Sequence, residues 1–135
     1  MANLTTKSGH SMYDMSSLLQ KAIRRGDIGK ASYAAKELYE SYYKYVWKRL
    51  LVISAEDCYG IMTKEIVALK CADDIVNEKR PSGEKDLIFI AKAVTLLCMA
   101  RKNRDACYVA CNLFTPYNTC DESEIPRVDD ISSLT

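Results

Sequence analysis

The sequence predicts an all-α protein, folded as a compact bundle of five to six helices. The 135-residue chain contains only five Gly and three Pro, which is few for a fold with many turns. Apolar residues recur at helical spacing in one segment after another. Its composition, 48% apolar and 27% charged, is ordinary for a soluble globular protein. A chain of this length can bury a proper core as one domain.

The first two helices are predicted over residues 12–25 and 28–41. The apolar stripe of the first helix consists of Met15, Leu18, Leu19, Ala22 and Ile23. Gly26 can adopt the left-handed conformation that ends a helix, and Asp27 can then cap the next one. Small residues on the second helix permit close packing: Ala31, Ala34 and Ala35. Four tyrosines between residues 39 and 45 indicate a seam between helices.

The third helix, which ends near Gly60, carries the most unusual pattern in the chain. One face consists of Tyr43, Val46, Trp47, Leu50, Leu51 and Ser54. Trp47 is the only tryptophan. Glu56 and Asp57 follow at the carboxyl end of the helix, where its dipole disfavours negative charge. They can be a general acid–base pair, but neighbouring residues on a helix point about 100° apart. We therefore favour a structural motif that includes Trp47, Glu56, Asp57 and Gly60.

Three further helices are predicted. The fourth covers residues 64–78, with Thr63 as its cap and one face formed by Ile66, Leu69 and Val76. Residues 79–83 read as a loop. The fifth, residues 84–100, is apolar on almost every side, which predicts a central, buried helix. The sixth covers residues 105–114.

Charge and polarity divide the chain into three parts. Residues 1–11 are polar and predicted to form a flexible arm, and they lack the apolar core of a signal peptide. Residues 12–114 form the helical domain. Residues 115–135 carry a net charge of −4, which leaves +5 on the remainder, and are predicted to form a flexible acidic tail. We expect a cytoplasmic protein with reduced cysteines and no membrane contact.

The sequence contains no recognisable catalytic or cofactor motif. Gly29 and Lys30 lack the surrounding residues of a phosphate-binding loop. His10, the only histidine, lies on the predicted arm. Cys107 and Cys111 are one helical turn apart, but four ligands are usual for structural zinc. We predict a protein that is not an enzyme and holds no cofactor or metal.

Five basic residues are candidate contacts to DNA or to a partner protein: Lys21, Arg24, Arg25, Lys48 and Arg49. They can bind phosphate groups, or they can be an ordinary solvated surface. On the first alternative the chain is a small DNA-binding adaptor. Its salt-sensitive binding would then strengthen when the acidic residues after Phe114 are removed.

Three segments carry a family resemblance. Residues 10–27 (HSMYDMSSLLQKAIRRGD) look like the "HYD-x-ISALHKSIRGSD" segment of the RarA/MgsA/Werner-helicase-interacting-protein family of AAA+ ATPases. Residues 49–60 (RLLVISAEDCYG) are similar to its "RLVRIASEDIG", and residues 91–103 (AKAVTLLCMARKN) to its "AQAVIYLATAPKSN". The segments occur in the family's order, with Arg101 in place of the last motif's proline, and they lie in the family's C-terminal region.

The resemblance implies a helical domain like the collar of a clamp loader, without the ATPase module. In that family the domain holds subunits together as a tetramer, and the whole protein acts at stalled replication forks with contacts to single-strand-binding protein. It therefore predicts a non-catalytic oligomerisation domain in DNA replication, recombination or repair. Its partner would be a second copy of the chain or a RarA-like ATPase.

Overall fold

A computed structural model of the chain describes residues 4–60, 62–81 and 83–114. Six α-helices are joined by short connections, and this part of the chain contains no β-strand. The helices are α1 Met12–Arg25, α2 Ile28–Ser41, α3 Tyr43–Asp57, α4 Met62–Asn77, α5 Ile88–Met99 and α6 Asp105–Val109. A π-helix, Ala110–Phe114, continues α6. The predicted all-α bundle is confirmed, while the predicted tail, residues 115–135, lies outside the described residues.

Helices α1 and α2 form a hairpin whose bounds match the prediction. Gly26 has a φ of 69°, and its amide donates to the carbonyl of Ile23 at 3.0 Å. A Cβ atom at Gly26 would lie 3.3 Å from the carbonyl oxygen of Cys98. Both the backbone conformation and the close approach of α5 therefore favour glycine here. Asp27 Oδ1 accepts from the amide of Lys30 at 3.1 Å and caps α2 as predicted.

The core lies where α1, α2 and α3 meet, with α4 and α5 packed against them. Trp47 and Leu50 are fully buried on the predicted face of α3. Ile53, which the sequence analysis did not place on this face, is also buried. The largest buried side chains are Trp47, Leu19, Ile23, Leu38, Leu50, Ile53, Ile66 and Leu97. None of the helices described is both long and apolar enough to cross a bilayer.

The predicted face of α4 is only partly correct. Ile66 is buried, but Val76 is exposed, and the buried positions near the end of α4 are Asp73 and Asn77. Thr63 lies inside the helix rather than capping it, and its hydroxyl is 2.8 Å from that of Ser54. The prediction for Val76 was wrong because Asp73 and Asn77, which have hydrogen-bond partners inside the bundle, take the inward positions.

Helix α5 is not the central, buried element that its apolar sequence predicted. It begins at Ile88 rather than near residue 84, and it packs on the bundle through one face. Ile90, Val94 and Leu97 are buried, whereas Ile88 and Met99 are exposed. An apolar helix that leaves one face uncovered provides a surface for another molecule.

The polar residues before α1, which belong to the segment predicted to be a flexible arm, form hydrogen bonds with α2 and with the residue that follows it. The hydroxyl of Tyr42 donates to the carbonyl of Thr5 at 2.7 Å, and Ser8 donates to Glu37 at 2.9 Å. His10 Nε2 is 2.7 Å from the hydroxyl of Tyr33. These polar side chains find partners on α2 and at its end, so residues 4–11 lie along the hairpin.

Candidate functional site

Asp57, the last residue of α3, is completely buried and lies at the centre of a polar junction. Arg24 of α1 donates through Nε to Asp57 Oδ1 at 2.9 Å, and Arg104 lies 3.7 Å from the same oxygen. Gln20, also of α1, donates to Asp57 Oδ2 at 2.9 Å and to Glu56 Oε2 at 2.7 Å. Arg24 and Arg104 supply positive charge at the end of α3, where the helix dipole disfavours a carboxylate. We call these five residues the Asp57 junction.

The backbone ties the segment after α5 to the same place. The amide of Asn103 donates to the carbonyl of Asp57 at 2.8 Å, and the amide of Tyr59 donates to the carbonyl of Arg101 at 2.8 Å. Lys102 Nζ lies 2.6 to 3.0 Å from three carbonyl oxygens at the end of α5. A cation at this position satisfies carbonyls that have no partner within the helix and suits the helix dipole.

The three segments that carry the family resemblance therefore meet at one junction. Residues 10–27 supply Gln20 and Arg24, and residues 49–60 supply Glu56 and Asp57. Residues 91–103 join them through the amide of Asn103, which donates to the carbonyl of Asp57. Their polar groups are directed at each other and at backbone atoms. Such an arrangement fixes the relative positions of α1, α3 and α5, and it leaves the Asp57 carboxylate little capacity for a ligand.

The five basic candidates differ in whether they already have a partner inside the fold. Arg24 is held by Asp57, and Arg49 donates through Nη2 to Gln20 Oε1. Lys21, Arg25 and Lys48 are exposed. The charge pattern could not reveal this division, because it does not show which cations face a buried carboxylate. Gly60, in the turn after α3, has a φ of 83°, and nothing lies within 4 Å of the Cβ position that it lacks.

A second polar cluster joins α2, α3 and α4, and the sequence analysis missed it. Asp73 is completely buried and accepts from the hydroxyl of Tyr39 at 3.1 Å, from that of Tyr43, and from Asn77 Nδ2 at 2.9 Å. Asn77 Nδ2 also donates to the carbonyl of Asp86 at 2.8 Å, and the amide of Asp86 donates to Asn77 Oδ1 at 2.7 Å. We call these five residues the tyrosine–aspartate cluster. The available signal was the four-residue spacing of Asp73 and Asn77, which places both on one helix face.

We expect the two tyrosines of this cluster to ionise late in an alkaline titration. Burial raises the pKa of Tyr39, and the neighbouring Asp73 raises it further. Burial and the hydrogen bond to Asp73 likewise raise the pKa of Tyr43. A group with a raised folded-state pKa stabilises the fold below its unfolded pKa, here about 10, and loses that contribution as pH rises. The free energy of unfolding should therefore fall above about pH 10.

Ultraviolet absorbance of tyrosinate against pH measures this effect. The phenols of Tyr39 and Tyr43 should ionise above the usual range for tyrosine, or together with unfolding. Tyr39→Phe should remove one late-ionising group. Ionisation of all nine tyrosines in a single ordinary transition would contradict the prediction.

The thiols described in the structure are ordinary in their environment. Burial raises the pKa of Cys58 and Cys98, so both are neutral near pH 7 and pack as small apolar groups. Burial and the neighbouring Cys111 also raise the pKa of Cys107. Within residues 4–60, 62–81 and 83–114, no three His, Cys, Asp or Glu side chains are placed to hold a metal ion.

No protein-family model and no curated protein matches the sequence. The resemblance to the RarA/MgsA family consequently depends on the three sequence motifs alone. The contacts of the Asp57 junction hold three helices in one arrangement.

Proposed function

We propose that the chain is a non-catalytic helical association domain that works in DNA replication, recombination or repair. It acts by associating with further copies of itself, and a RarA-like ATPase is the alternative partner. The observation that carries this proposal is the meeting of the three family-like segments at the Asp57 junction. Residues that resemble a family's motifs and are used to fix helix positions support a shared scaffold rather than shared chemistry.

The outer faces of α4 and α5 provide the surface for association. Val67, Cys71 and Ile75 follow each other at four-residue spacing on α4, and all three are exposed. On α5, Ile88 and Met99 are exposed on the side away from the core. Ile75 is 83% exposed and Met99 73%. Exposed apolar side chains arranged along helix faces are typical of surfaces that another copy of the protein covers.

Light scattering from micromolar to millimolar concentrations tests the self-association. We expect a mass that exceeds that of the monomer and rises with concentration. Ile75→Glu should raise the dissociation constant at least about tenfold, because a buried, unpaired carboxylate costs more than 1.4 kcal/mol. Val52→Glu is the matched control, since Val52 is an exposed valine on α3. A strict monomer at every concentration would contradict self-association.

Co-purification with a RarA-type ATPase tests the alternative partner. Capture of the ATPase by the wild-type chain, and its loss in Ile75→Glu, would support a heteromeric assembly through the same surface. Failure of the two proteins to co-purify would remove this branch of the proposal.

A DNA-binding adaptor that uses Lys21, Arg24, Arg25, Lys48 and Arg49 is less well supported. Two of these cations, Arg24 and Arg49, already have partners in the Asp57 junction or at its edge. Release of Arg24 for a ligand would leave the buried Asp57 carboxylate without its closest cation.

A further inference from the structure

A groove of about 570 Å³ between α3, α4 and the loop before α5 contains an unusual concentration of lysine. Its lining residues are Tyr43, Lys44, Lys48, Lys70, Asp74, Glu78 and Lys85. Four ammonium groups and two carboxylates leave an excess of two positive charges. Of the five basic candidates from the sequence, only Lys48 lines this groove. Three of the four lysines were therefore not expected to take part in a site.

The four lysines differ in how far they are already engaged. Lys70 forms an ion pair with Asp74 at 2.7 Å, and this hydrogen bond lowers the pKa of Asp74. Lys85 donates to the carbonyl of Asn77 at 2.7 Å and lies 4.9 Å from the centre of the Tyr43 ring. It forms no ion pair with a residue in the described part of the chain. Lys44 and Lys48 are exposed and form no ion pair with any residue that the structure describes.

Tyr43 of the tyrosine–aspartate cluster lines the groove, and the other residues of the cluster hold the groove in shape from behind Tyr43. The hydroxyl of Tyr43 is fixed by Asp73 and by Asp74 Oδ1, the latter at 3.0 Å. Asn77 fixes the loop that carries Lys85 by its two bonds to the backbone of Asp86. The cations on α3, on α4 and on the loop therefore face one space before any ligand arrives, which reduces the ordering cost of binding.

The spacing of the lysines suits a ligand that carries several phosphoryl groups. Lys44 and Lys48 are one helical turn apart, about 6 Å along α3. Ammonium groups bind phosphate as compact point charges and need no fixed bidentate geometry. The groove is open on the side of Lys44, Lys48 and Glu78, which are all exposed, so it can accept part of a longer ligand.

We propose that this lysine groove is a binding site for phosphoryl groups carried on a chain. The groups can come from the backbone of a nucleic-acid strand or from a free oligophosphate. The lining of the groove contains no residue of the Asp57 junction and none of the exposed apolar residues assigned to association, so the inference goes beyond the association function. Failure of either proposal leaves the other intact, because one is measured by mass and the other by anion binding.

Two double variants with the same change in charge test the groove. Lys44→Gln with Lys48→Gln removes its two unpaired cations, and Lys21→Gln with Arg25→Gln removes two exposed cations from α1. All four residues are exposed, so both variants should keep the helical circular dichroism and melting temperature of the wild type. The probes are a fluorescein-labelled oligothymidylate, followed by anisotropy, and tripolyphosphate, followed by calorimetry.

We expect the groove variant to bind at least one probe at least about tenfold more weakly than the wild type does. For the oligothymidylate, the slope of log affinity against log salt should become shallower by about 1.4, or 0.7 for each lost contact. The α1 variant should bind almost as the wild type does. If only tripolyphosphate binds in a groove-dependent way, the ligand is a free oligophosphate. If tripolyphosphate displaces the oligothymidylate, the two probes bind at one site.

Three results would overturn the proposal. One is an equal loss of affinity in both double variants, which would indicate a general effect of charge. Another is loss only in the α1 variant, which would place the contacts on the surface of α1. The third is failure of the wild type to bind either probe at low salt.

Discussion

Replacement of Asp57 by alanine is expected to lower the free energy of unfolding by about 3 kcal/mol. The carboxylate is completely buried and accepts from Arg24 and Gln20, and its loss would leave these donors without their main partner. Loss of one member of a fully buried ion pair costs roughly 3–5 kcal/mol. We expect the lower end of this range because Arg24 and Arg104 are 36% and 42% exposed and water can solvate them. Urea unfolding followed by circular dichroism measures the change.

Two companion variants separate the role of Asp57 from that of its neighbour. Glu56→Ala removes a partly buried carboxylate with a single bond to Gln20, and it should cost only about 1 kcal/mol. Asp57→Asn keeps the size of the side chain but not its charge, so its cost should lie between the two. An unchanged unfolding midpoint in Asp57→Ala would contradict the structural role and return the Glu56–Asp57 pair to the candidates for function.

The residues of the Asp57 junction already bind each other inside the fold. A functional site is therefore better sought among residues that lack such partners. A ligand site needs polar groups whose hydrogen-bonding capacity is still free at a surface. The oxygens of the Asp57 carboxylate already accept from two donors of α1, Arg24 and Gln20. Among the described residues, the apolar outer faces of α4 and α5 and the lysine groove are not used in this way. They are the basis of our two proposals, association and anion binding.

The hairpin of α1 and α2 could be predicted to the residue because its ends depend on local chemistry. Gly26 supplies the left-handed conformation, and Asp27 supplies the capping carboxylate. Both signals act within a few residues, so the sequence alone contains them. The same is true of the acidic pair at the end of α3, whose conflict with the helix dipole requires a compensating partner.

The inward faces of α4 and α5 could not be predicted, because they depend on partners distant in sequence. Asp73 is buried only because Tyr39 and Tyr43 supply hydroxyl donors 34 and 30 residues away. The apolar pattern favoured Val76 instead, which the structure leaves exposed. On α5 the excess of apolar residues gave no preferred face, so the exposed side that we assign to association could not be recognised from the sequence.

The basic residues show the same limit for the candidate site. Charge and spacing identify Arg24 and Lys48 equally well as possible phosphate contacts. Only the tertiary structure shows that Arg24 is paired with a buried carboxylate, whereas Lys48 faces an open groove beside Lys44. A cation already paired with a buried acid is a poor ligand-binding residue, because its release costs the energy of that pair.

Replacement of Trp47 by alanine should lower the free energy of unfolding by about 4 kcal/mol. This is the largest effect among the changes that we propose. Trp47 is fully buried in the hydrophobic core, to which each helix from α1 to α5 contributes side chains. Removal of the indole loses its apolar contact area and leaves a cavity that the neighbouring helices can close only in part. Because Trp47 is the only tryptophan, the measurement must use circular dichroism rather than intrinsic fluorescence.

Trp47→Phe should lower the free energy of unfolding by less than about 1.5 kcal/mol, for a reason specific to this site. The indole Nε1–H is buried and has no acceptor among the described residues. A buried donor without a partner costs about 1–3 kcal/mol, so its removal offsets part of the area lost with the second ring. A cost for phenylalanine close to that for alanine would show that the N–H has a partner after all. It would then place a polar contact at the centre of the bundle.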